Sequence, residues 1–329
     1  MLSLFKKRAY PIGVDIAEEG LYISQLCHHS GEVHLQAGDA AMSVDGELKV
    51  GSSQWQKWAV EALKDICQKK KFKGSEVVSS IPCDELIIEH IKIGKAKGAE
   101  LENEINTKLR QKTGLDPQKL MTKYLEAEDN NIIVLAADKE KVDKYLSIYE
   151  KANLQIKSFG VWPAAVTNSY IKFFGRRRSD IESVVMLIDI KANNSYLVIC
   201  RHKKILFARS IATGFSKIAE DSLAPSVEPL VSQILACRSL FEGMYKNPVI
   251  DRAIFFTSCS TVSFERDVFV LLAKKIGIPA QIGNCLTAVE ISNFNHHGIN
   301  RRNDSLIAKE IDFKPKDSWA VAFGLSLSE

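Results

Sequence analysis

Several things that would narrow the class of this chain at once are missing from it. Its 329 residues include seven cysteines but no C-x-x-C pair, and the odd count leaves any full set of disulfides one short, so reduced thiols are expected. Charge of one sign is scarce. The 44 Lys and Arg against 40 Asp and Glu leave a formal +4, and the basic clusters Lys69 to Lys71, Arg176 to Arg178 and Lys203–Lys204 are short and scattered. A nucleic-acid binder concentrates such charge in one stripe, so no nucleic-acid partner is expected. No apolar run approaches the roughly 18 residues needed to span a bilayer. Met1 to Arg8 mixes Leu2, Leu4 and Phe5 with Lys6, Lys7 and Arg8, without the apolar stretch or cleavage site of a signal peptide. The expectation is a cytoplasmic protein. The adjacent pairs His28–His29 and His296–His297 lack metal-ligand spacing, and no metal site is read from them.

What is present is a globular composition, 46% hydrophobic and 26% charged, at a length that suits about two domains. Ile12 to Ile16 and Leu21 to Leu26 read as a hairpin, extended by Val33 to Ala37. Ser53, with Gln56 three residues later, reads as a capping box opening a helix that carries Trp55, Ala59, Leu63 and Ile66 on one face. Val77 to Ile81 is a further strand. From Pro82 a compact α+β insert follows: a strand over Leu86 to Ile93, a helix with Leu101, Ile105 and Leu109 stopped at Gly114, a strand pair near Thr122 to Ala127 and Ile132 to Ala137, and a helix capped by Asp138. Strand Ile156 to Val161 and helix Trp162 to Phe174 close this half.

The second half repeats the opening plan. Val184 to Ile190, Ser195 to Cys200 and Ile205 to Ile211 are three strands in succession, followed by a long helix through Val227, Leu230, Ile234 and Phe241. Ala253 to Thr257 is a buried strand, and Phe264 to Ile276 a helix ending at Gly277. Both halves open with an apolar strand that ends in an aspartate, Asp15 and Asp189, and the period is far longer than that of a solenoid repeat. A duplicated, two-lobed α/β fold follows.

Two strand–Asp–turn–strand units and a long helix between lobes resemble the actin-like ATPase fold, with its duplicated ribonuclease-H-like lobes. Within it the chain resembles the PilM family of type IV pilus assembly, which is FtsA-like, and more distantly the cytoplasmic region of type II secretion GspL proteins. Met1 to Lys7, Ile12 to Ile16, the insert from Ile81 to Val161, Leu187 to Lys191, Ile205 to Gly214 and Ala322 to Leu327 carry the likeness. It implies a first lobe over 1–80, a small α+β insert over 81–158, a return to the first lobe over 159–178 and 305–329, and a second lobe over 179–304.

The departures from that pattern concern the nucleotide. A first phosphate loop needs glycine and small hydroxyl residues so that backbone N–H groups reach phosphate oxygens; after Asp15 this chain has Ala17, Glu18 and Glu19. A like-charge pair at about 4 Å costs on the order of 4 kcal/mol at an effective dielectric near 20, so two such carboxylates offset a micromolar affinity for a triphosphate. In the second loop Asp189 is followed by Lys191, Asn193 and Asn194, with Gly214 beyond, and two roles stand open for Lys191: a point charge that binds phosphate, or a plug that fills the cleft and neutralises Glu18 or Glu19. The adenosine turn reads Ser258, Cys259 and Ser260 without glycine. The expectation is a pseudo-ATPase with no catalytic residue and no cofactor. The alternative is a regulatory ATP-binding protein in which Asp15 and Asp189 hold Mg²⁺ and nucleotide state controls the partner.

The resemblance also implies a partner, the N-terminal cytoplasmic peptide of a PilN-like bitopic membrane protein, received in a groove between insert and first lobe. The residues expected to line it are Ile87, Glu89, Ile91, Leu101, Ile105, Leu109, Ile133 and Leu135. Peptide-in-groove binding needs apolar pockets and backbone or charged contacts rather than a catalytic group. Other pilus or secretion components are implied as further partners, with membrane association at the inner face of the inner membrane borrowed from the partner.

Overall fold

The computed structural model describes residues 8–17, 20–29, 31–43, 48–94, 98–246, 248–257, 263–293 and 318–328. The chain opens with β1 (Arg8–Ile16), β2 (Gly20–His29) and β3 (Glu32–Met42), then α1 (Ser53–Lys69) and β4 (Glu76–Ser80). Successive side chains on a strand face opposite ways. On β1 this sends Ile12, Val14 and Ile16 into a core with Trp55, Ala59 and Leu63 of α1, and leaves Gly13 and Asp15 on the other face. The helix cap lies one residue earlier than expected. Ser52, in extended backbone, accepts from the Trp55 N–H at 3.2 Å, and the Gln56 amide reaches back to the Gly51 carbonyl at 2.9 Å.

The insert contains β5 (Ile87–Lys92), α2 (Ala99–Thr113), β6 (Leu120–Glu126) and β7 (Asn131–Asp138). Its strands form an antiparallel sheet in the order β5-β7-β6. Gly114, at φ 72°, ends α2 in the left-handed conformation that glycine adopts without strain. The central strand β7 is buried on both faces. Ile132, Val134 and Ala136 pack on Leu101, Ile105 and Leu109 of α2, while Ile133, Leu135 and Ala137 turn toward the rest of the molecule.

Asp138 caps α3 (Lys139–Lys151), accepting from the Lys141 N–H at 3.2 Å. Tyr145, Ile148 and Tyr149 of α3 join the α1 core, and β8 (Gln155–Gly160) pairs in parallel with β4. α3, expected within the insert, thus packs in the first-lobe core, and β8, which straddles the expected insert boundary at residue 158, is an edge strand of the first-lobe sheet, whose order is β3-β2-β1-β4-β8. The periodicity of α3 shows that it has an apolar face but not which sheet that face meets.

After α4 (Trp162–Phe173) the second lobe is built from β9 (Val184–Ile190), β10 (Ser195–Arg201), β11 (Lys204–Ile211), α5 (Leu223–Met244), β12 (Arg252–Thr257), α6 (Ser263–Ile276), β13 (Ala280–Asn284) and α7 (Cys285–Asn293). Its sheet runs β11-β10-β9-β12-β13. Met186, Ile188 and Ile190 face α5 and α6; Val185 and Leu187 face the first lobe. α8 (Ala320–Ser326) completes the described chain. Together with α4 it lies in one continuous core with residues of both sheets, among them Val78, Leu187 and Phe256. A Cβ on Gly13 would stand 2.1 Å from the Ala322 carbonyl oxygen, and one on Gly324 would stand 1.8 Å from that of Ala165. These two glycines let α8 lie against β1 and α4 at backbone distance.

Candidate functional site

The two strand-end aspartates meet between the lobes. Asp15 lies opposite Tyr22 in the β1–β2 register, and Asp189 opposite Tyr196 in the β9–β10 register. Both carboxylates are buried, and between them sits the Lys191 ammonium, Nζ 3.5 Å from Asp15 Oδ2 and 3.6 Å from Asp189 Oδ2. The ammonium also donates to the Ser318 carbonyl at 3.4 Å, and lies 5.5 Å and 5.8 Å from the ring centroids of Tyr22 and Tyr196. The remaining oxygens are held by hydroxyls: Ser80 Oγ donates to Asp15 Oδ1 at 3.1 Å, and Ser318 Oγ to Asp189 Oδ1 at 2.6 Å. Burial pushes the Asp189 carboxyl up, against the opposing pull of Lys191 and of the Ser318 hydrogen bond. Aromatic rings wall the cluster, with Trp162 stacked on Tyr196 at 4.5 Å and Trp319 edge-on to Tyr22 at 5.7 Å.

Of the two roles open to Lys191, its position is that of the plug, with the two aspartates rather than Glu18 or Glu19 as its observed partners. Glu18 and Glu19 lie outside the described residues, as do Ser258, Cys259 and Ser260. Ala17 is buried and closes the β1–β2 hairpin, its N–H bonded to the Gly20 carbonyl at 2.9 Å, so that donor is not aimed into the cleft. In the second turn the Lys191 N–H bonds to the Asn194 carbonyl at 2.8 Å, and Asn193 Oδ1 accepts from Ser216 Oγ at 2.8 Å. Gly214 lets the next segment close on this turn: Phe215 N–H bonds the Lys191 carbonyl at 2.9 Å, and a Cβ at 214 would stand 2.4 Å from the same oxygen.

Mg-ATP fits this donor set poorly. A magnesium ion bridging Asp15 and Asp189 would take the place held by the ammonium, and the rings of Tyr22, Tyr196, Trp162 and Trp319 crowd the same space. The residues that complete the cluster, Tyr22, Tyr196, Ser80 and Ser318, carry no motif. One signal for the tyrosines is in the sequence: each stands seven residues after its aspartate.

Of the eight expected groove residues, Ile91, Leu101, Ile105 and Leu109 are buried in packing of the insert itself, Ile133 and Leu135 are buried against the core that the insert shares with the lobes, and Ile87 and Glu89 are half-buried. Glu89 accepts from Lys112 at 2.9 Å. Open concave space lies instead at the junction of insert, first lobe and second lobe. This hollow of about 510 Å³ is lined by Ile16, Leu48, Val50, Cys83, Asn194 and Tyr196, with Lys141 and Glu85 as its charges nearest α3. Burial pushes the Cys83 thiol up to about 12, against hydrogen bonds from Ser210 and Tyr196, which makes it an unreactive wall. Asn194 Oδ1 is buried without a hydrogen-bond partner.

The insert is also tied to the second lobe. His90 stacks on Phe207 at 4.5 Å and its Nε2 accepts from the Ala208 N–H at 3.2 Å. Arg201 holds the Glu128 carboxylate at 2.5 Å. Among the described residues no helix is long and apolar enough to cross a membrane.

The family model of the type IV pilus assembly protein PilM matches residues 13–224. A solved PilM-PilN type IV pilus biogenesis complex superposes with a TM-score of 0.72 at 18% identity, covering 97% of this chain and 98% of that one. A Bacteroides thetaiotaomicron protein described as having an actin-like ATPase fold gives 0.48 at 12% identity, covering 88% of this chain and 98% of that one. The ethanolamine utilization protein EutJ from Carboxydothermus hydrogenoformans gives 0.49 at 10% identity, covering 97% and 89% respectively. The architecture is the actin-like ATPase fold. No curated protein is detectably similar to the chain in sequence.

Proposed function

The chain belongs to the PilM family of type IV pilus assembly proteins, and from that premise we propose that it is a scaffold without ATPase activity. It holds the N-terminal cytoplasmic peptide of a PilN-like bitopic membrane protein and is thereby kept at the inner face of the inner membrane. The observation that carries the non-catalytic part is the Lys191 ammonium set between Asp15 and Asp189. A fixed cation already supplies the charge that a nucleotide-bound metal would bring, so the two lobes are bridged without ligand.

For the peptide we propose the three-way hollow rather than the insert's interior. Its apolar side chains Ile16, Leu48 and Val50 suit apolar anchors, and the unpartnered Asn194 Oδ1 accepts a peptide N–H. Calorimetric titration tests both parts. The wild-type protein is expected to show no saturable heat with Mg-ATP at concentrations of about 1 mM, and micromolar nucleotide binding overturns the non-catalytic reading. The synthetic partner peptide is expected to bind, and Val50→Arg to weaken it at least about tenfold, a loss near 1.4 kcal/mol. Unchanged peptide affinity in Val50→Arg excludes this hollow.

A further inference from the structure

Arg176 and Arg177, the first two residues of an arginine run that no part of the scaffold reading uses, border a second hollow. This one, also about 510 Å³, lies away from the ion cluster. Lys172, Arg176 and Arg177 reach it from the end of α4 and the turn after it, and His202 from the β10–β11 turn. Val33, Ile171, Ile181 and Ala288 supply apolar wall, and Glu32 is the one carboxylate among its lining residues. We propose that this hollow binds a soluble small molecule carrying two or more phosphate groups, gripped by Lys172, Arg176 and Arg177 together with His202 of the β10–β11 turn.

Three observations carry the assignment. The first is unspent charge: among the described residues no ion pair involves Lys172, Arg176, Arg177 or Glu32. Neighbouring Arg252, by contrast, is paired with Asp180 at 2.9 Å. The second is mutual repulsion. Burial, then the Arg176 charge, holds the Lys172 ammonium below its ordinary value, so a bound anion would relieve a stress already present. The third is shape. A hollow of this volume, walled by a helix end and two hairpin turns, is the size of a small-molecule site rather than a flat membrane-facing patch. Guanidinium forks suit phosphate oxygens, and the apolar wall accepts the body of the ligand.

Cations at a helix C-terminus also offset the helix dipole, and Arg176 Nε does bond the Lys172 carbonyl at 2.6 Å. That bond uses one of five guanidinium donors. It accounts for neither Arg177 nor the arrival of His202 from the other lobe.

Inorganic pyrophosphate is the probe, titrated by calorimetry and thermal shift into the full chain at low salt. Saturable binding is expected, weakened at least tenfold in the double variant Arg176→Ala/Arg177→Ala. Both arginines are exposed, so the double variant should keep the wild-type Tm without ligand. A control that removes equal charge from exposed sites elsewhere, Lys71→Ala/Lys123→Ala, should stay within twofold of wild type. Absence of saturable binding at millimolar pyrophosphate overturns the proposal, as does equal weakening in the control. Binding to vesicles with 30% phosphatidylglycerol that pyrophosphate does not displace, but that the arginine variant abolishes, also overturns it in favour of a membrane contact.

Discussion

The two lobes are copies in plan and differ at a few positions that matter. Each sheet places its hairpin partner strands on one side of the first strand and two parallel strands on the other, and each sets an aspartate opposite a tyrosine. Two residues after the aspartate, the first lobe has Ala17 and the second has Lys191. Two residues before it, the first has Gly13 and the second Leu187. The crossover between the parallel strands holds α6 alone in the second lobe, whereas in the first it carries the whole insert as well as α3. Residues inside the strands preserve the sheet. Residues at strand ends and in the crossover distinguish the lobes, because changing them leaves the ladder hydrogen bonds intact.

Making the lobes alike breaks them. Gly13→Leu copies the second lobe's residue into the first, where the Cβ alone meets the Ala322 carbonyl at 2.1 Å. α8 would be displaced, exposing Val321, Phe323 and Leu325, and at about 2 kcal/mol per buried apolar side chain the loss is about 5 kcal/mol or more. Urea unfolding measures it; a loss under 1 kcal/mol means that α8 does not depend on the contact. The next largest effect comes from erasing the cation. Lys191→Met strands two buried carboxylates and costs about 3 to 5 kcal/mol. Adding Asp15→Asn and Asp189→Asn to that variant recovers most of the loss, and a triple variant no more stable than the single one rules out charge as the cause.

The smallest effect sharpens the comparison at a contact with no counterpart in the other lobe, that of the insert with β11. Burial, with Lys112 and Arg209 adding to it, lowers the His90 pKa to about 4. A histidine depressed in the folded state contributes fully above its unfolded value near 6.5, and the contribution fades as pH falls toward 4. The protonated ring also loses the lone pair that accepts the Ala208 N–H. Between pH 7 and pH 4.5 the wild type should lose about 2 kcal/mol that His90→Phe does not, allowing for solvent at the ring's open edge. Parallel pH profiles in urea would show that His90 is not the group responsible.

Much of the fold was legible because period-two and helical apolar patterns act locally. Gly114 and Asp138 cap helices where the sequence places them. Strand β13 was not legible: Ala280, Gln281, Gly283 and Asn284 lack a strand pattern, and an edge strand along β12 needs little burial to form. The insert residues Leu101, Ile105 and Leu109 read as apolar, but apolarity does not distinguish a groove wall from a core. Only the pairing of α2 with its own sheet decides that. Lys191 was legible as an intruder in the cleft. That it lies between Asp15 and Asp189 was not, because their meeting depends on how two separately coded sheets face each other.

The docking of α8 on β1 also bears on how the molecule is made. Ser326 Oγ accepts from the Leu26 N–H at 3.0 Å and donates to the Pro11 carbonyl at 2.8 Å, joining positions three hundred residues apart. A ribosome releases Pro11 and Leu26 long before Ser326 exists. The first lobe therefore emerges with one face of its sheet uncovered, while the second lobe's described strands and helices all lie between Val184 and Asn293. In vectorial synthesis the later lobe can mature first and the earlier one waits, the reverse of the usual order in which N-terminal domains fold ahead of those behind them.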